Sequence, residues 1–245
     1  MQSPMTRAAR TPAVLGLALL TLATTPQMAT ARSAPTVEQM VVFKSGKATI
    51  KKVRAAGLKV KVGHKRCAVG TGTPLAALLR SKVARFGLRD YAACSARARD
   101  GGQIYVSSIG DDRARGTNGW VYKVGHKSAT SGAADPTGPF GSGLLKKSQR
   151  VTWYYGTQRG ESFERTLELS VGPGPAAGTV RVRVRSYDND GRGRPEPGAM
   201  VRAGSATATT GPSGSAVVAT GAGRRTFVAS KPGAVRSFAE SLTVR

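Results

Sequence analysis

Residues 118–124 read Asn-Gly-Trp-Val-Tyr-Lys-Val, and residues 151–155 read Val-Thr-Trp-Tyr-Tyr. The Asn-Gly pair predicts a tight turn that leads into a strand. Because alternate residues of a strand share a face, Trp120 and Tyr122 lie on one side of the first segment, and Trp153 and Tyr155 lie on one side of the second. These faces either meet in a hydrophobic core or form a stacking platform for a ligand, with the long loop 125–143 as its rim. The candidate ligand-binding residues are Trp120, Tyr122, Trp153 and Tyr155.

The segments around these strands predict one main helix and several short strands. Thr73 can cap a helix, Pro74 suits its first position, and Gly87 suits its end. Apolar residues recur between them at helical spacing, so we expect the helix over 74–86. One helix among about five strands predicts an α+β domain over 37–171.

A Gly/Pro-rich segment at 172–178 (GPGPAAG) is the clearest internal boundary, because it has few side chains to pack and its prolines keep it extended. Beyond it, valines alternate with arginines over 180–185, and turn sequences recur at short intervals through 179–245. This pattern predicts a small all-β sandwich. We therefore expect an α+β domain at 37–171, a linker at 172–178 and a sandwich at 179–245.

Three segments of the first domain resemble a known family. They are 118–124, 132–135 (GAAD) and 150–155 (RVTWYY), and they are similar to a domain family of unknown function that is related to the small C-terminal β domain of transcobalamin. The resemblance covers about 45–170 and implies a β-grasp-like topology with one main helix. In transcobalamin this domain caps cobalamin held against a large helical domain. Nothing in this chain resembles that helical domain, so cobalamin binding does not carry over.

Residues 179–245 resemble the carboxypeptidase regulatory-like modules. The matching segments are 197–201 (PGAMV), 209–216 (TTGPSGSA) and 229–233 (ASKPG). Such modules are prealbumin-like or Ig-like β-sandwiches that usually act as spacers or adhesive domains. The resemblance therefore implies a non-catalytic role for this half of the chain.

The first 31 residues have the organisation of a secretory signal. Arg7 and Arg10 precede an apolar stretch at 13–23, and the small residues Ala29 and Ala31 suit cleavage after Ala31. The apolar run is shorter than the roughly 20 residues that a membrane-spanning helix needs, and no later segment is long and apolar. We expect an extracellular protein with no transmembrane segment in its mature chain.

Cys67 and Cys94 are the only cysteines. In an oxidising compartment such a pair is expected to form a disulfide, which should add about 3–4 kcal/mol by restricting the unfolded chain. The alternative is a reactive thiol or a metal ligand. Neither cysteine belongs to a C-x-x-C pair, however, and a metal site would need further ligands.

The sequence holds no recognisable catalytic or cofactor motif. His64 and His126 each lie in the pentapeptide Lys-Val-Gly-His-Lys, which predicts two similar hairpin tips. The run Asp188-Asn-Asp190-Gly resembles the start of a calcium loop but lacks the distal glutamate at EF-hand spacing, so calcium binding stays open. No catalytic residue, metal site or cofactor is expected.

The chain carries a net charge of +25, which either attracts polyanions or reflects composition alone. The stretch 44–66 is rich in Lys and Arg and has no acidic residue. No signature of a nucleic-acid-binding module accompanies it, so we expect anionic cell-envelope polymers, lipid head groups or other extracellular macromolecules as partners rather than nucleic acid. The candidate polyanion-binding residues are Lys51, Lys52, Lys59 and Lys61.

Together these patterns predict a secreted, non-enzymatic binding or surface-interaction protein. One alternative is a structural adapter that presents the first domain to protein partners. The other is an enzyme with an unrecognised site. The patterns specify neither the ligand nor the oligomeric state.

Overall fold

The computed structural model describes residues 33–158, 160 and 162–245. The predicted export signal at 1–31 therefore lies outside the described residues. Among the described residues, no helix is long and apolar enough to cross a membrane.

The first half is built from short strands and one helix. Its elements are β1 (Thr36–Val42), β2 (Ala48–Arg54), β3 (Leu58–Val62), β4 (Lys65–Val69), α1 (Pro74–Ser81), β5 (Phe86–Asp90), a 3₁₀ turn (Ala98–Gly101), β6 (Ile104–Ile109), β7 (Asp112–Arg113), β8 (Gly119–Val124), β9 (Lys127–Ser128) and β10 (Arg150–Gly156).

A five-stranded mixed sheet with the order β2-β1-β10-β8-β9 organises this half. Strands β1 and β10 run parallel at its centre, and the other pairs are antiparallel. One face packs against α1, and its side chains, among them Val37, Val41 and Trp153, join the buried helix residues Leu75 and Leu78 in one core. Trp120 and Tyr122 of β8 lie on this face together with Trp153 and Tyr155 of β10, whereas Tyr154 lies on the opposite face.

The helix begins where the sequence predicted and ends five residues earlier. Thr73 Oγ1 accepts a hydrogen bond from the backbone N–H of Ala76 at 3.2 Å, and Pro74 occupies the first turn. Helix α1 stops at Ser81 because Lys82 adopts a left-handed conformation, with φ at +49°. After a short connection, Phe86–Asp90 form β5, which pairs with β6. Backbone pairing in a sheet therefore overrides the helical spacing of Phe86.

Two small sheets, β3-β4 and β5-β6-β7, complete the first half. Cys67 on β4 is bonded to Cys94, which follows β5, and their Cα atoms are 5.5 Å apart. The predicted disulfide is confirmed, and it ties the β3-β4 hairpin to the other small sheet.

The second half consists of strands. They are β11 (Arg165–Pro173), β12 (Thr179–Tyr187), β13 (Gly193–Pro195), β14 (Met200–Ala203), β15 (Ala206–Thr209), β16 (Ser215–Ala219), β17 (Gly223–Ser230), β18 (Ala234–Val235) and β19 (Glu240–Val244). One sheet has the order β13-β12-β11-β18, with β16 also paired to β12, and another has the order β15-β14-β17-β19. Both contribute to one buried cluster that includes Val182, Val201 and Phe227.

The Gly/Pro segment at 172–178 connects adjacent antiparallel strands. Strand β11 pairs with β12 from Thr166 opposite Tyr187 to Pro173 opposite Val180. Consequently β11, which the sequence assigned to the first domain, belongs to a sheet of the second half. Residues Ser33–Arg245 form one compact unit, and a third buried cluster joins Met40 and Tyr154 to Phe238.

The expected fold class is wrong. The described part of the chain is mostly β, with 49% of its residues in strands and 5% in helices, and it forms several small sheets. It is not an α+β β-grasp-like domain with one main helix followed by one sandwich, because the helix is only eight residues long and the remaining chain extends into strands. Short runs of alternating apolar residues favour such strands over helices.

Candidate functional site

A cavity of about 510 Å³ opens beside the aromatic face of the first sheet. Strands β8 and β10 contribute aromatic residues to its lining, and strand β6 and the loop 128–133 contribute much of the rest. This volume lies in the range of small-molecule sites. The described part of the chain therefore contains one aromatic cavity at the place where the sequence suggested a platform with a loop as its rim.

Three of the four predicted aromatic residues line this cavity. Tyr122 and Trp153 are cross-strand partners, and their rings stack with centroids 4.9 Å apart. Trp120 packs edge-to-face against Tyr155 with centroids 6.0 Å apart. Tyr155 is not among the lining residues, so its role is to support Trp120. Trp120, Tyr122 and Trp153 therefore belong to the hydrophobic core and also form part of the cavity wall.

The rim loop is tied to the sheet by a side-chain hydrogen bond. Tyr122 Oη donates to the carbonyl oxygen of Ser131 at 2.7 Å, and the backbone N–H of Thr130 donates to the carbonyl of Pro139 at 3.0 Å. Burial raises the pKa of Tyr122 well above its usual value, so the hydroxyl stays protonated and keeps donating. The rim is therefore positioned by the same residue that forms part of the wall.

Tyr91 and Tyr105 complete the lining and were missed in the sequence. Their ring centroids are 6.0 Å apart, and Tyr91 is 67% exposed. Tyr105 approaches β8 so closely that a Cβ added at Gly119 would lie 2.5 Å from its hydroxyl oxygen. A side chain at this position would therefore displace the Tyr105 hydroxyl. The sequence placed Tyr105 on a predicted strand, but the spacing of the residues did not show which segment would face Tyr105 across the cavity.

The cavity is uncharged in a strongly basic protein. None of its lining residues is Asp, Glu, Lys, Arg or His, although the chain has a net charge of +25. Its polar groups are amides and hydroxyls, including those of Gln103, Thr117 and Asn189. The indole Nε1 of Trp153 is buried without a hydrogen-bond partner among the described residues. Such an unpaired donor is costly unless an acceptor reaches it.

The predicted polyanion-binding lysines are all exposed, but they lie on two different sheets. Lys51 and Lys52 are on β2, and the Lys51 amine donates to the carbonyl of Ser81 at 2.9 Å, at the end of α1. Lys59 and Lys61 lie on β3, separated by one residue and therefore on one face. Strands β2 and β3 are not paired with each other, so the four lysines do not lie on one sheet.

The β3-β4 hairpin places like charges opposite each other. Lys61 is the cross-strand partner of Arg66, an arrangement that destabilises a sheet. Lys65 lies 4.0 Å from the carboxylate of Asp90, which is the nearby compensating acid. The hairpin is therefore a more concentrated basic surface than β2.

The two histidines lie at hairpin tips, as predicted, but in different surroundings. His64 is exposed between β3 and β4, whereas His126 stacks on Tyr187 with centroids 3.8 Å apart and lies 3.3 Å from a Glu168 oxygen. Asp188 Oδ1 accepts hydrogen bonds from the backbone N–H groups of Asp190 and Arg192. Within the described ranges, no group of three or more His, Cys, Asp or Glu residues could hold a metal ion.

Comparisons of this chain with protein-family models, with curated proteins and with solved structures found no match.

Proposed function

We propose that this chain is an exported, non-enzymatic binding protein that holds an uncharged, flat ligand in the aromatic cavity. The observation that carries the proposal is the cavity of about 510 Å³ with six aromatic lining residues and no charged one. These aromatic residues are Tyr91, Tyr105, Trp120, Tyr122, Trp153 and Phe163. The disulfide between Cys67 and Cys94 supports export, because such bonds persist in oxidising compartments, and it agrees with the predicted signal at 1–31.

The chemistry of the lining supports a neutral, planar ligand. Aromatic faces bind flat or apolar surfaces by stacking and burial, while a few amide and hydroxyl groups fix the orientation. A charged ligand would lose part of its hydration without meeting a counter-ion, which is unfavourable at a site with no charged lining residue. The lining also offers no carboxylate, imidazole or amine as a general base, which supports binding rather than catalysis.

A matched pair of fluorescent probes tests this function. N-phenyl-1-naphthylamine is neutral and planar, and 8-anilino-1-naphthalenesulfonate carries the same rings with a negative charge. We expect the neutral probe to bind at about 1 μM or tighter and to be lost in Thr117→Arg, which places a long charged side chain at an exposed lining position. Thr207→Arg adds the same charge at an exposed residue of β15 that does not line the cavity, and it should bind as the unmodified protein does.

Two results would contradict the proposal. The first is a preference for the sulfonated probe that disappears in high salt, since attraction to the net positive charge would then explain the binding. The second is equal loss of the neutral probe in both arginine variants.

A second candidate function, the binding of an anionic polymer, is favoured by the basic β3-β4 hairpin. The opposed Lys61 and Arg66 cost stability in isolation and would be relieved by a bound polyanion. Anionic cell-envelope polymers of the teichoic-acid type have the required repeating charge.

The hairpin is tested by comparing two double variants with the same charge change. Lys59→Gln with Lys61→Gln should weaken binding to a teichoic-acid-like polymer and reduce the slope of log affinity against log salt by about one to two. Lys51→Gln with Lys52→Gln should have a smaller effect, because Lys51 is engaged with Ser81. Identical effects of the two pairs would show that only net charge matters.

A further inference from the structure

A second cleft, distinct from the aromatic cavity, lies on the outer face of the β15-β14-β17 sheet. It measures about 590 Å³ and extends from this face to the tip of the β1-β2 hairpin at Gly46. Met200 and Arg202 point outward from β14, since the alternate residues Val201 and Ala203 are buried. Met200 is 44% exposed, so an apolar side chain remains open to a ligand here.

The lining combines cations with an apolar floor. Arg202, Lys231 and Arg236 are its charged residues, and no acidic side chain lines it. The apolar part consists of Val42, Met200, Val228, Pro232 and Ala234, and none of the lining residues is aromatic. This composition differs from the aromatic cavity in both charge and shape preference, because flexible aliphatic and thioether groups adapt to chains rather than to flat rings.

Arg236 is the unusual member of this set. Its side chain is half-buried, and its Nε is buried without a hydrogen-bond partner. Within residues 33–158, 160 and 162–245, every other half-buried or buried Lys or Arg donates to at least one carboxylate, hydroxyl or carbonyl oxygen. These residues are Lys123, Arg150, Arg165, Arg185, Arg225 and Lys231.

The neighbouring charged side chains provide no hydrogen-bond acceptor for Arg236. Lys231 is paired with Glu196 and also donates to the carbonyl of Pro197 at 2.7 Å. Neither Arg202 nor Arg236 has a carboxylate within 4.0 Å among the described residues. A half-buried guanidinium without an acceptor is destabilising. Arg202 and Arg236 both line the cleft, so an oxyanion placed between them would pair with the parts of the two guanidinium groups that face the cleft, because a planar guanidinium matches a carboxylate through paired hydrogen bonds.

We propose that this cleft binds a single-chain amphiphile, with its carboxylate between Arg202 and Arg236 and its alkyl chain over Met200 and Val228. The hydroxyls of Thr209 and Ser230, which also line the cleft, supply further donors for the head group. The cleft volume of about 590 Å³ lies within the usual range for small-ligand sites. This site is independent of the ligand proposed for the aromatic cavity.

Calorimetric titrations with three compounds separate the parts of the ligand. Sodium decanoate has both head group and chain, 1-decanol lacks the charge, and sodium acetate lacks the chain. We expect decanoate to bind at least about tenfold more tightly than either fragment, since one charge-assisted hydrogen bond contributes about that factor. No decanoate binding at about 1 mM, or equal affinity for decanoate and decanol, would overturn the proposal.

Variants then locate the site. Arg202→Met together with Arg236→Met should weaken decanoate binding about tenfold or more, and Met200→Glu should do the same by placing a carboxylate at an exposed position. Arg181→Met together with Arg224→Met, on β12 and β17 but outside the lining, removes the same two charges and should leave binding unchanged. If this control pair weakens binding as much as the Arg202 and Arg236 pair, attraction to net charge explains the result and the proposed site is wrong. Retained binding of N-phenyl-1-naphthylamine in these variants would show that the aromatic cavity is separate.

Discussion

The two tryptophans of the aromatic cavity provide a sharp test of its energetics, because they differ in one hydrogen bond. Both are buried, with exposed fractions of 5% for Trp120 and 1% for Trp153. Trp120 Nε1 donates to the carbonyl of Asp112 at 2.9 Å, whereas Trp153 Nε1 has no partner among the described residues. Replacing each by phenylalanine removes the same atoms and leaves a ring in the same place.

The lost burial and packing destabilise both variants by a similar amount, about 1–2 kcal/mol. In Trp120→Phe the lost hydrogen bond adds about 1 kcal/mol to this cost. In Trp153→Phe the change also removes a buried, unpaired donor whose burial costs about 1–3 kcal/mol, so the two effects nearly cancel. We expect Trp153→Phe to change the free energy of unfolding by less than about 1 kcal/mol, and Trp120→Phe to cost at least about 2 kcal/mol more than that.

Urea unfolding followed by far-ultraviolet circular dichroism measures both values without relying on tryptophan emission. Equal m-values would show that the two variants expose similar surface on unfolding. If Trp153→Phe costs as much as Trp120→Phe, then the Trp153 N–H is satisfied in solution and the reasoning about an unpaired donor at the cavity is refuted.

Three further results are expected. Replacing Cys67 and Cys94 by serine should lower the free energy of unfolding by about 3–4 kcal/mol, measured by urea unfolding, and a loss below about 1 kcal/mol would contradict the loop-entropy argument. Burial lowers the pKa of Lys123 to about 8, so between about pH 8 and 10 the unfolded chain binds more protons than the folded protein. The free energy of unfolding should therefore rise with pH over this range, by up to about 3 kcal/mol relative to Lys123→Met. Parallel plots of unfolding free energy against pH for the two proteins would count against this. The mature N-terminus should be Arg32, and terminal sequencing of exported protein that begins elsewhere would reject the predicted cleavage.

Much of the local structure could be predicted from neighbouring residues. The Thr73 cap and Pro74 mark the start of α1, the Gly-His pairs mark hairpin tips, and the buried valines of β12 alternate with outward-facing arginines. The pairing of Cys67 with Cys94 followed from the number of cysteines. The cap, the turns and the alternation depend on residues that are close in sequence, and the disulfide was inferred because the chain has only two cysteines. Both kinds of information are present in the sequence.

Other features required the tertiary structure. Helix α1 ends at Ser81 because β5 pairs with β6, and β11 joins the second half through its long pairing with β12.

The sequence alone determined that Trp120 and Tyr122 share one face of their strand and that Trp153 and Tyr155 share one face of theirs, because strand alternation is local. Only the tertiary structure decided that Tyr105 and the 128–133 loop face them across a cavity, and that Arg236 is left without an acceptor among the described residues. Such outcomes depend on which distant segments cover a residue, and hydrophobic burial is non-directional and does not specify its partners.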